Sequence, residues 1–212
     1  MSGLGFVVGL TAEARIAARF GGLVQAGGGT PAGAEDAANR LVRQGATALV
    51  SFGLAGGLDP ALSPGDVVVP GLVLSNGARL AADAALAQRF GGLSEHAILA
   101  GETVVTDAVA KAALHATTGA HAVDLESGAV ARVAAAHGLP FVVVRAICDP
   151  AKRDLPPAAL IALNPSGDIG LSAVLRSVLQ RPGQIPDLLA LAYDAGRARR
   201  SLVRLAKRFG GI

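Results

Sequence analysis

The sequence is poor in the residue types that most often build metal centres and disulfide scaffolds. Cys148 is its only cysteine, which excludes a disulfide framework and a zinc site made from several cysteines. The four histidines, at positions 96, 115, 121 and 137, include no pair with the four-residue spacing that places two imidazoles on one helix face. We therefore expect no dedicated metal site.

Charged residues are also scarce. They make up 17% of the chain against 51% for apolar residues, a balance that excludes a disordered chain and allows a full hydrophobic core. No uncharged run reaches the ~18 residues of a membrane-spanning helix. Met1–Leu10 lacks the basic start and the cleavage site of a signal peptide. We expect one compact domain in the cytoplasm.

The net charge of +3 is unevenly distributed along the chain. Residues 181–212 contain seven basic and two acidic side chains, whereas residues 1–180 contain twelve and fourteen. Because the body is nearly neutral, we expect no nucleic-acid binding by the whole fold. We assign residues 1–180 to the main domain and 181–212 to a basic amphipathic helical tail. The tail either contacts anionic lipid or packs its apolar stripe on the domain and leaves its charges solvated.

Short apolar runs alternate with helical segments along most of the chain. Buried strands are predicted at Gly5–Leu10, Thr47–Phe52, Asp66–Leu74 and Phe141–Ile147. Helices are predicted at 34–44, Leu80–Phe90, Asp107–Ala116 (with Thr106 as N-cap) and Ser127–His137, and a tight turn at Gly53–Gly57. This alternation predicts an α/β fold, a single domain with a central, largely parallel or mixed sheet flanked by helices. Ligands of such sheets bind beyond the carboxyl ends of the strands.

Common nucleotide-binding and hydrolase signatures are missing. The chain has no phosphate-binding P-loop and no G-x-S-x-G nucleophile elbow. Gly27, Gly29 and Ala32 formally satisfy a dinucleotide fingerprint, but Ser51 and Phe52, at the end of the next strand, offer no acid for a ribose. We interpret this segment as a glycine-rich loop that enters a helix.

Three segments carry a more specific signal, namely Ser51–Pro60 followed by Ser63–Val69, Ala122–Ala131, and Pro140–Asp149. Their order and spacing resemble the nucleoside phosphorylase and methylthioadenosine/adenosylhomocysteine nucleosidase superfamily, over about residues 3–153. The stretch Asp149–Pro157 and the basic tail resemble most closely the hopanoid-associated phosphorylases, which are thought to remove adenine from adenosylhopane. The resemblance implies cleavage of the N-glycosidic bond of a 5′-substituted adenosine, by phosphorolysis or hydrolysis.

The resemblance also implies partners. The substrate would be a small-molecule or lipid-linked nucleoside, with the tail as a candidate contact to the inner membrane surface. No cofactor would be needed, and inorganic phosphate is a candidate co-substrate. Relatives form dimers to hexamers, so a homo-oligomer is expected by analogy. Two other functions stay open: a soluble methylthioadenosine/S-adenosylhomocysteine nucleosidase, and a nucleoside-binding protein without catalysis.

Two acids receive catalytic roles from the resemblance. Cleavage of a purine nucleoside puts positive charge on the sugar and negative charge on the base, so one group must serve purine N7 and another must hold the ribose. Asp149 is expected to serve N7, since burial raises the pKa of a carboxyl group; alternatively it caps the turn before Pro150. Glu126 is expected to accept hydrogen bonds from the ribose hydroxyls; alternatively it is a first-turn acid that favours the helix dipole.

Other residues match binding positions of the superfamily. Leu125 matches a residue that packs on the sugar, whereas Asp124 has no settled role. Cys148 is expected to line the pocket and not to act as a nucleophile, because no activating base is indicated. Val104 and Val105 match the segment that contacts the purine, through an apolar surface and a backbone hydrogen bond; alternatively they belong to an ordinary buried strand.

The nucleophile site departs from the superfamily pattern. Ala14 occupies the ungapped position of the catalytic glutamate of nucleosidases, with Glu13 one residue away. Arg15 is a candidate phosphate ligand or, alternatively, a solvated helix residue. Positions 51 and 54 lack the arginine and serine of some relatives, so backbone N–H groups are expected to supply further phosphate contacts, at Gly53, Ala55 and Gly56. With these contacts, phosphorolysis is favoured over hydrolysis.

Overall fold

In the computed structural model, which describes residues 3–162 and 181–210, nine strands form one mixed sheet. The strands are β1 Leu4–Val8, β2 Leu23–Ala26, β3 Ala48–Gly57, β4 Val67–Val68, β5 Pro70–Ser75, β6 Ala78–Ala81, β7 Ser94–Ala100, β8 Ala122–Asp124 and β9 Phe141–Asp149. The α-helices are α1 Thr11–Ala17, α2 Pro31–Arg43, α3 Ala84–Ala87, α4 Ala108–Thr118, α5 Ser127–Ala136, α6 Pro157–Ala162 and α7 Ile185–Phe209.

Strand β3 is central to the sheet. It pairs in parallel with β1 on one side and with β9 on the other, and its last residues, Gly56 and Gly57, also pair antiparallel with β8. The strand order is β2-β1-β3-β8-β7-β5-β6, and β4 pairs with β9. The ends of β3 and β9 therefore lie side by side, and β8 runs back along the end of β3.

Apolar layers cover both faces of the sheet. On one face, α2 and α5 pack against the strands through residues such as Leu41 and Val130. On the other face, the rings of Phe6, Phe20, Phe52 and Phe90 contact one another, and α1 and α7 pack beside them. A mixed sheet between two helical layers confirms the predicted α/β fold.

The glycine-rich segment Gly53–Gly57 is not the predicted turn. It is the second half of β3, where the ladder with β9 continues through Gly56. A side chain at Gly53 would collide with the carboxylate of Glu13, since an added Cβ would lie 2.8 Å from Oε1. The glycines here make room for neighbouring groups and do not reverse the chain.

The predicted helix Leu80–Phe90 is also wrong in its first half. Residues 78–81 form β6, which pairs with β5 through a hairpin turn at Asn76 and Gly77, both with positive φ. Asn-Gly is the sequence signal for such a turn. Helix α3 begins only after Asp83, whose carboxylate accepts a hydrogen bond from the N–H of Leu86 at 2.7 Å.

Other boundaries differ in detail. The predicted strands at residues 5–10, 47–52 and 141–147 and the helices starting near 34, 107 and 127 are present. The N-cap of α4 is Asp107 and not Thr106. Helix α1 and strands β2 and β7 had no sequence prediction. Val104 and Val105 lie between β7 and α4, so they do not form a strand.

Helix α7 is the predicted basic amphipathic helix. In its second half, Ala198, Leu202 and Ala206 are buried against the sheet, as one interpretation of the tail requires. The predicted boundary between residues 180 and 181 adjoins a segment outside the described residues. Within the described ranges, no helix combines the length and the apolar character needed to cross a bilayer.

Candidate active site

Several acids meet where β3, β8 and β9 come together. Asp149 is the last residue of β9, and Asp124 is the last residue of β8. Glu126 follows as the N-cap residue of α5, but its side chain makes no capping hydrogen bond. Gly56 of β3 pairs with Asp149 on one side and with β8 on the other, so all three acids lie around the end of one strand.

The guanidinium of Arg145 organises the first group of acids. It lies in β9 and is 1% exposed. Its Nε donates to Oδ2 of Asp124 at 2.7 Å, and its Nη2 donates to Oε2 of Glu126 at 2.7 Å and to Oγ of Ser51 at 2.8 Å. Asp124, which had no settled role, therefore positions Arg145, and Arg145 in turn fixes one oxygen of Glu126.

Asp124 is itself fixed by the start of α5. Its Oδ1 accepts hydrogen bonds from the backbone N–H of Ser127 at 3.2 Å and from the Ser127 hydroxyl at 2.5 Å. Both of its carboxylate oxygens therefore have partners. A buried carboxylate that is paired and hydrogen-bonded in this way acts as a rigid anchor for its cation.

Glu13 belongs to the same group, although it is far away in sequence. It lies in α1 and is 2% exposed. Its Oε2 accepts hydrogen bonds from the N–H groups of Gly9 and Leu10, and its Oε1 accepts one from the N–H of Leu54 at 3.1 Å. Burial raises the pKa of Glu13, and Arg145 and the backbone donors offset part of that rise.

The carboxylates of Glu13 and Glu126 lie close together beside Gly9. A Cβ added at Gly9 would lie 2.6 Å from Oε1 of Glu126 and 3.4 Å from Oε2 of Glu13. Burial raises the pKa of Glu126 to about 7, a rise that Arg145 opposes and the charges of Glu13 and Asp124 reinforce. Near neutral pH the Glu126 carboxyl group can therefore gain or lose a proton.

Asp149 has a cationic partner of its own, Lys111 of α4. The Lys111 side chain is fully buried, and its Nζ donates to Oδ2 of Asp149 at 2.6 Å. The same Nζ donates to the carbonyls of Pro150 and Arg153, at 3.2 and 2.7 Å. Burial raises the pKa of Asp149, while Lys111 lowers it.

Sequence reasoning missed Lys111. It is a single cation in the alanine-rich helix α4, 38 residues before Asp149. Its position one turn from Leu114 on the inner side of the helix was the only signal, and a lysine there is more often solvated.

Glu126 and Asp149 each keep one oxygen free. Among the described residues, four buried side-chain nitrogen or oxygen atoms have no hydrogen-bond partner, and Oε1 of Glu126 and Oδ1 of Asp149 are two of them. Buried polar atoms are nearly always satisfied, so two free oxygens at one strand end mark a place where water or a ligand can supply the partners. The Asp149 side chain makes no hydrogen bond to the turn before Pro150, against its alternative interpretation, whereas the position of Glu126 at the start of α5 remains compatible with a favourable interaction with the helix dipole.

The residues that carry or hold these two acids pair with β3 at different positions. Arg145, which holds Glu126, pairs with Gly53, whereas Asp149 pairs with Gly56. Three residues of strand correspond to roughly 10 Å. The backbone positions of Arg145 and Asp149 are therefore separated along the strand direction by about that distance.

The remaining predicted binding residues lie around these acids with different exposure. Leu125, Val104 and Val105 are half-buried, and Val105 packs with Leu58 and Val123. The N–H of Leu54, inside the expected phosphate loop of Gly53, Ala55 and Gly56, is already bonded to Glu13.

Cys148 is an extra residue in β9. Ala55 pairs with Ile147 and Gly56 with Asp149, which leaves Cys148 unpaired in a β-bulge. Burial raises the pKa of its thiol to about 12, so it stays protonated at neutral pH. A protonated thiol is a poor nucleophile, in agreement with a lining role.

Arg15 is exposed on α1. It follows Glu13 by two residues, which rotates its side chain by about 200° around the helix, away from the buried acids. The structure therefore places Glu13, and not Arg15, in the candidate site. The exposure of Arg15 matches the alternative of a solvated helix residue.

Two surface cavities are lined by other residues. One, of about 590 Å³, lies between residues 79–83 and the end of α5. The other, of about 340 Å³, lies beside α7. Neither is lined by Glu126 or Asp149.

Comparisons with known proteins match this part of the chain. Residues 73–165, which carry Lys111, Asp124, Glu126, Arg145 and Asp149, match the model of the phosphorylase superfamily. A 61-residue segment is 40% identical to the 5′-methylthioadenosine/S-adenosylhomocysteine nucleosidase of Treponema pallidum. That segment is 29% of this chain and only 23% of the relative.

Solved structures match over nearly the whole chain. A Helicobacter pylori methylthioadenosine nucleosidase mutant with 5′-methylthioadenosine in its active site has a TM-score of 0.68 at 16% identity, covering 97% of this chain and 98% of that one. The futalosine hydrolase of H. pylori has a TM-score of 0.64 at 18% identity, covering 84% and 97%. At such identities the likeness concerns the fold. Residues 73–165 thus match the phosphorylase-superfamily model, and the chain has a fold similar to that of the solved nucleosidases.

Proposed function

We propose that this protein is an enzyme that cleaves the N-glycosidic bond of a 5′-substituted adenosine and releases adenine. The observation that carries the proposal is the pair of free, buried oxygens, Oε1 of Glu126 and Oδ1 of Asp149, on two acids whose segments meet at the end of β3. The superfamily match of residues 73–165 and the nucleosidase relatives support the same reaction.

Asp149 assists the departing base. Breaking the bond between C1′ and N9 sends its electron pair to the purine, which must then be protonated at N7. Burial raises the pKa of Asp149, so its protonated form is available to donate from Oδ1. As the proton leaves, Lys111, 2.6 Å from Oδ2, stabilises the carboxylate that forms. Lys111 is therefore a positioning residue that acts through Asp149.

Glu126 holds the sugar. Its Oε2 is fixed by Arg145, so its free Oε1 is oriented to accept hydrogen bonds from the ribose hydroxyls. Negative charge beside the ribose also stabilises the positive charge that develops at C1′ in the transition state.

Glu13 activates the nucleophile, and we propose that the nucleophile is water. Its Oε1 accepts a single hydrogen bond, which leaves a lone pair for a water molecule. That water gives its proton to Glu13 and its hydroxyl group to C1′. In the part of the chain that the structure describes, a phosphate dianion would meet the carboxylates of Glu13, Asp124 and Glu126, and Arg145 is the cation that offsets them. Hydrolysis is therefore favoured over the phosphorolysis expected from the sequence, and the reaction needs no cofactor.

Within this substrate class we propose adenosylhopane. The support is the resemblance of Asp149–Pro157 and of the basic helix α7 to the hopanoid-associated phosphorylases. Methylthioadenosine is the second candidate, favoured by the nucleosidase with 5′-methylthioadenosine in its active site. A homo-oligomer and a cytoplasmic location stay predictions.

Product analysis tests the proposal. The protein is incubated with adenosylhopane and with methylthioadenosine, each with and without phosphate, and the products are separated by chromatography. We expect adenine and a free sugar, with the same rate in both buffers and faster release from adenosylhopane. A sugar 1-phosphate formed only with phosphate would overturn hydrolysis. Adenine binding measured by calorimetry, without release of adenine from either nucleoside, would show a non-catalytic binding protein.

A further inference from the structure

The outer face of α7 is divided into an apolar and a basic part. In its first half Ile185, Leu189 and Tyr193 are 42%, 67% and 65% exposed, although each is a large hydrophobic side chain. In its second half, Arg197, Arg200 and Arg204 are exposed. Contiguous exposed apolar surface on a folded domain usually marks an interaction site.

These six residues lie on one side of the helix. At about 100° per residue, their side chains fall within an arc of about 120°. The opposite side of α7 is occupied by Ala198, Leu202 and Ala206, which are buried against the sheet. The exposed face is therefore presented to the surroundings by a firmly packed helix.

The basic part lines a cavity. The cavity of about 340 Å³ is bounded by the three arginines, Tyr193 and Ser201 of α7, and by Gly65 and Asp66 of the loop before β4. Within the described ranges, none of the three arginines forms an ion pair. Arg204 donates to the Ser201 hydroxyl at 2.7 Å, and the Asp66 carboxylate is turned to the N–H of Ser63 at 2.8 Å. Three guanidinium groups against one carboxylate leave an excess of positive charge.

Guanidinium groups bind phosphate oxygens with well-directed hydrogen bonds. The apolar part continues directly from Tyr193, which also lines the cavity. A free phosphate or a nucleic acid would use the arginines but would leave Ile185 and Leu189 without a contact. A phospholipid satisfies both parts, because its phosphate lies next to the apolar interior of the bilayer.

We propose that this face of α7 is a membrane-docking surface whose arginine cavity binds the phosphate of anionic phospholipids. Ile185, Leu189 and Tyr193 enter the interfacial region, with the tyrosine at the polar boundary that aromatic residues prefer. Residues 1–180 carry two more acidic than basic side chains, so the attraction to an anionic surface is concentrated on α7 and orients the molecule. The proposal does not depend on the reaction proposed above.

Vesicle binding of the full chain tests it. We expect cosedimentation with vesicles of phosphatidylcholine and phosphatidylglycerol, weaker at high salt, and none with phosphatidylcholine alone. The variant with Arg197, Arg200 and Arg204 changed to Gln should bind roughly 100-fold more weakly. A matched variant with Arg19→Gln, Arg43→Gln and Arg89→Gln, which removes the same charge from other exposed sites, should bind within about twofold of wild type.

A second variant tests the apolar part. Ile185→Ser with Leu189→Ser keeps the charge and should weaken binding to the anionic vesicles at least tenfold. Equal binding to both vesicle types, or equal loss in the matched arginine variant, would overturn the proposal. The proposal would also be overturned by two results together: inorganic phosphate binds without vesicles through the three α7 arginines alone, and the serine variant binds vesicles normally. Methylthioadenosine turnover without vesicles should be unchanged in all variants, which keeps this test separate from that of the reaction.

Discussion

Arg145 and Lys111 are both buried cations in the candidate site, but they face different numbers of carboxylates. Arg145 is bonded to Asp124 and Glu126 and lies near Glu13. Among the described residues, Lys111 is paired with the Asp149 carboxylate alone, and it donates its other hydrogen bonds to two backbone carbonyls. The first group holds an excess of acids, and the second is a balanced pair.

The difference matches the two charges that develop when a nucleoside is cleaved. Excess carboxylate stabilises a positively charged sugar and repels a phosphate nucleophile. In the proposed reaction a protonated Asp149 gives its proton to the departing base, and the carboxylate that forms is balanced by Lys111. The proposed division of roles would then follow from how many acids each cation neutralises, and substitutions at each group can test it.

The largest expected effect comes from the balanced pair. Asp149→Asn should lower kcat for adenine release by about 10³-fold, because it removes the acid that protonates the base. The measurement is steady-state release of adenine, with thermal unfolding as the folding check. Asp107→Asn is the matched control, since asparagine caps a helix as well as aspartate does. Release at the wild-type rate by Asp149→Asn would remove the basis of the proposed reaction.

Within the acidic group, Glu13→Gln should lower kcat by about 10²-fold with little change in KM, since the amide cannot take a proton from water. Glu35→Gln, an exposed change on α2, is the control. Arg15→Gln should leave turnover unchanged. If Arg15→Gln instead abolished a phosphate-dependent activity that Glu13→Gln preserved, the assignment of the nucleophile would be reversed.

A smaller effect is expected for the cation of the balanced pair. Lys111→Met should lower kcat roughly tenfold, because the Asp149 carboxylate loses its stabilising charge. Lys111 lowers the pKa of Asp149, so its removal raises that pKa and should move the alkaline limb of the kcat profile to higher pH. The pH profile of Lys111→Met is compared with that of Lys152→Met, an exposed lysine.

A purely structural role for Lys111 would reduce stability and leave the alkaline limb in place. The double variant Lys111→Met with Asp149→Asn separates the two effects. It should be more stable than Lys111→Met alone, because no carboxylate is then left buried without a partner.

The smallest effect concerns stability and pH. Burial raises the folded-state pKa of Glu126 to about 7, above the ordinary glutamate value of 4.5. The folded protein therefore keeps a proton that the unfolded chain has lost, so Glu126 makes stability fall as pH rises from about 4.5 to 7, by at most roughly 1.4 kcal/mol per pH unit. Glu126→Gln should flatten this slope in unfolding measurements. An identical slope in both proteins would mean that Glu126 does not hold the proton.

Much of the fold was predictable from local pattern. The strands near residues 5, 48 and 141 are continuous apolar runs, which is typical of strands covered on both faces. Helices α2, α4 and α5 were predicted close to their observed positions, but Thr30 and Asp107, which cap the first two, were not identified as caps. The pattern was misleading at Gly53–Gly57, because glycine is found both in turns and in strands whose backbone is closely approached by neighbouring groups.

The site was predictable only in part, for a physical reason. Glu126, Arg145 and Asp149 belong to segments with a recognisable pattern, but the positions of Lys111 and Glu13 beside the site depend on contacts between residues that are distant in sequence. Lys111 stands 38 residues from Asp149, and Glu13 stands 41 residues from Leu54. Whether a charged side chain is buried depends on the partners that the fold supplies. Local periodicity in the sequence does not show those partners.

Gly9 and Gly53 perform no chemistry, yet they determine how near the acids can come to one another. A methyl group at Gly9 would lie 2.6 Å from the Glu126 carboxylate, and one at Gly53 would lie 2.6 Å from the Arg145 guanidinium. Alanine, the mildest of all replacements, would therefore push the charged groups apart. Two missing side chains thus set the dimensions of the space in which the nucleoside would be held.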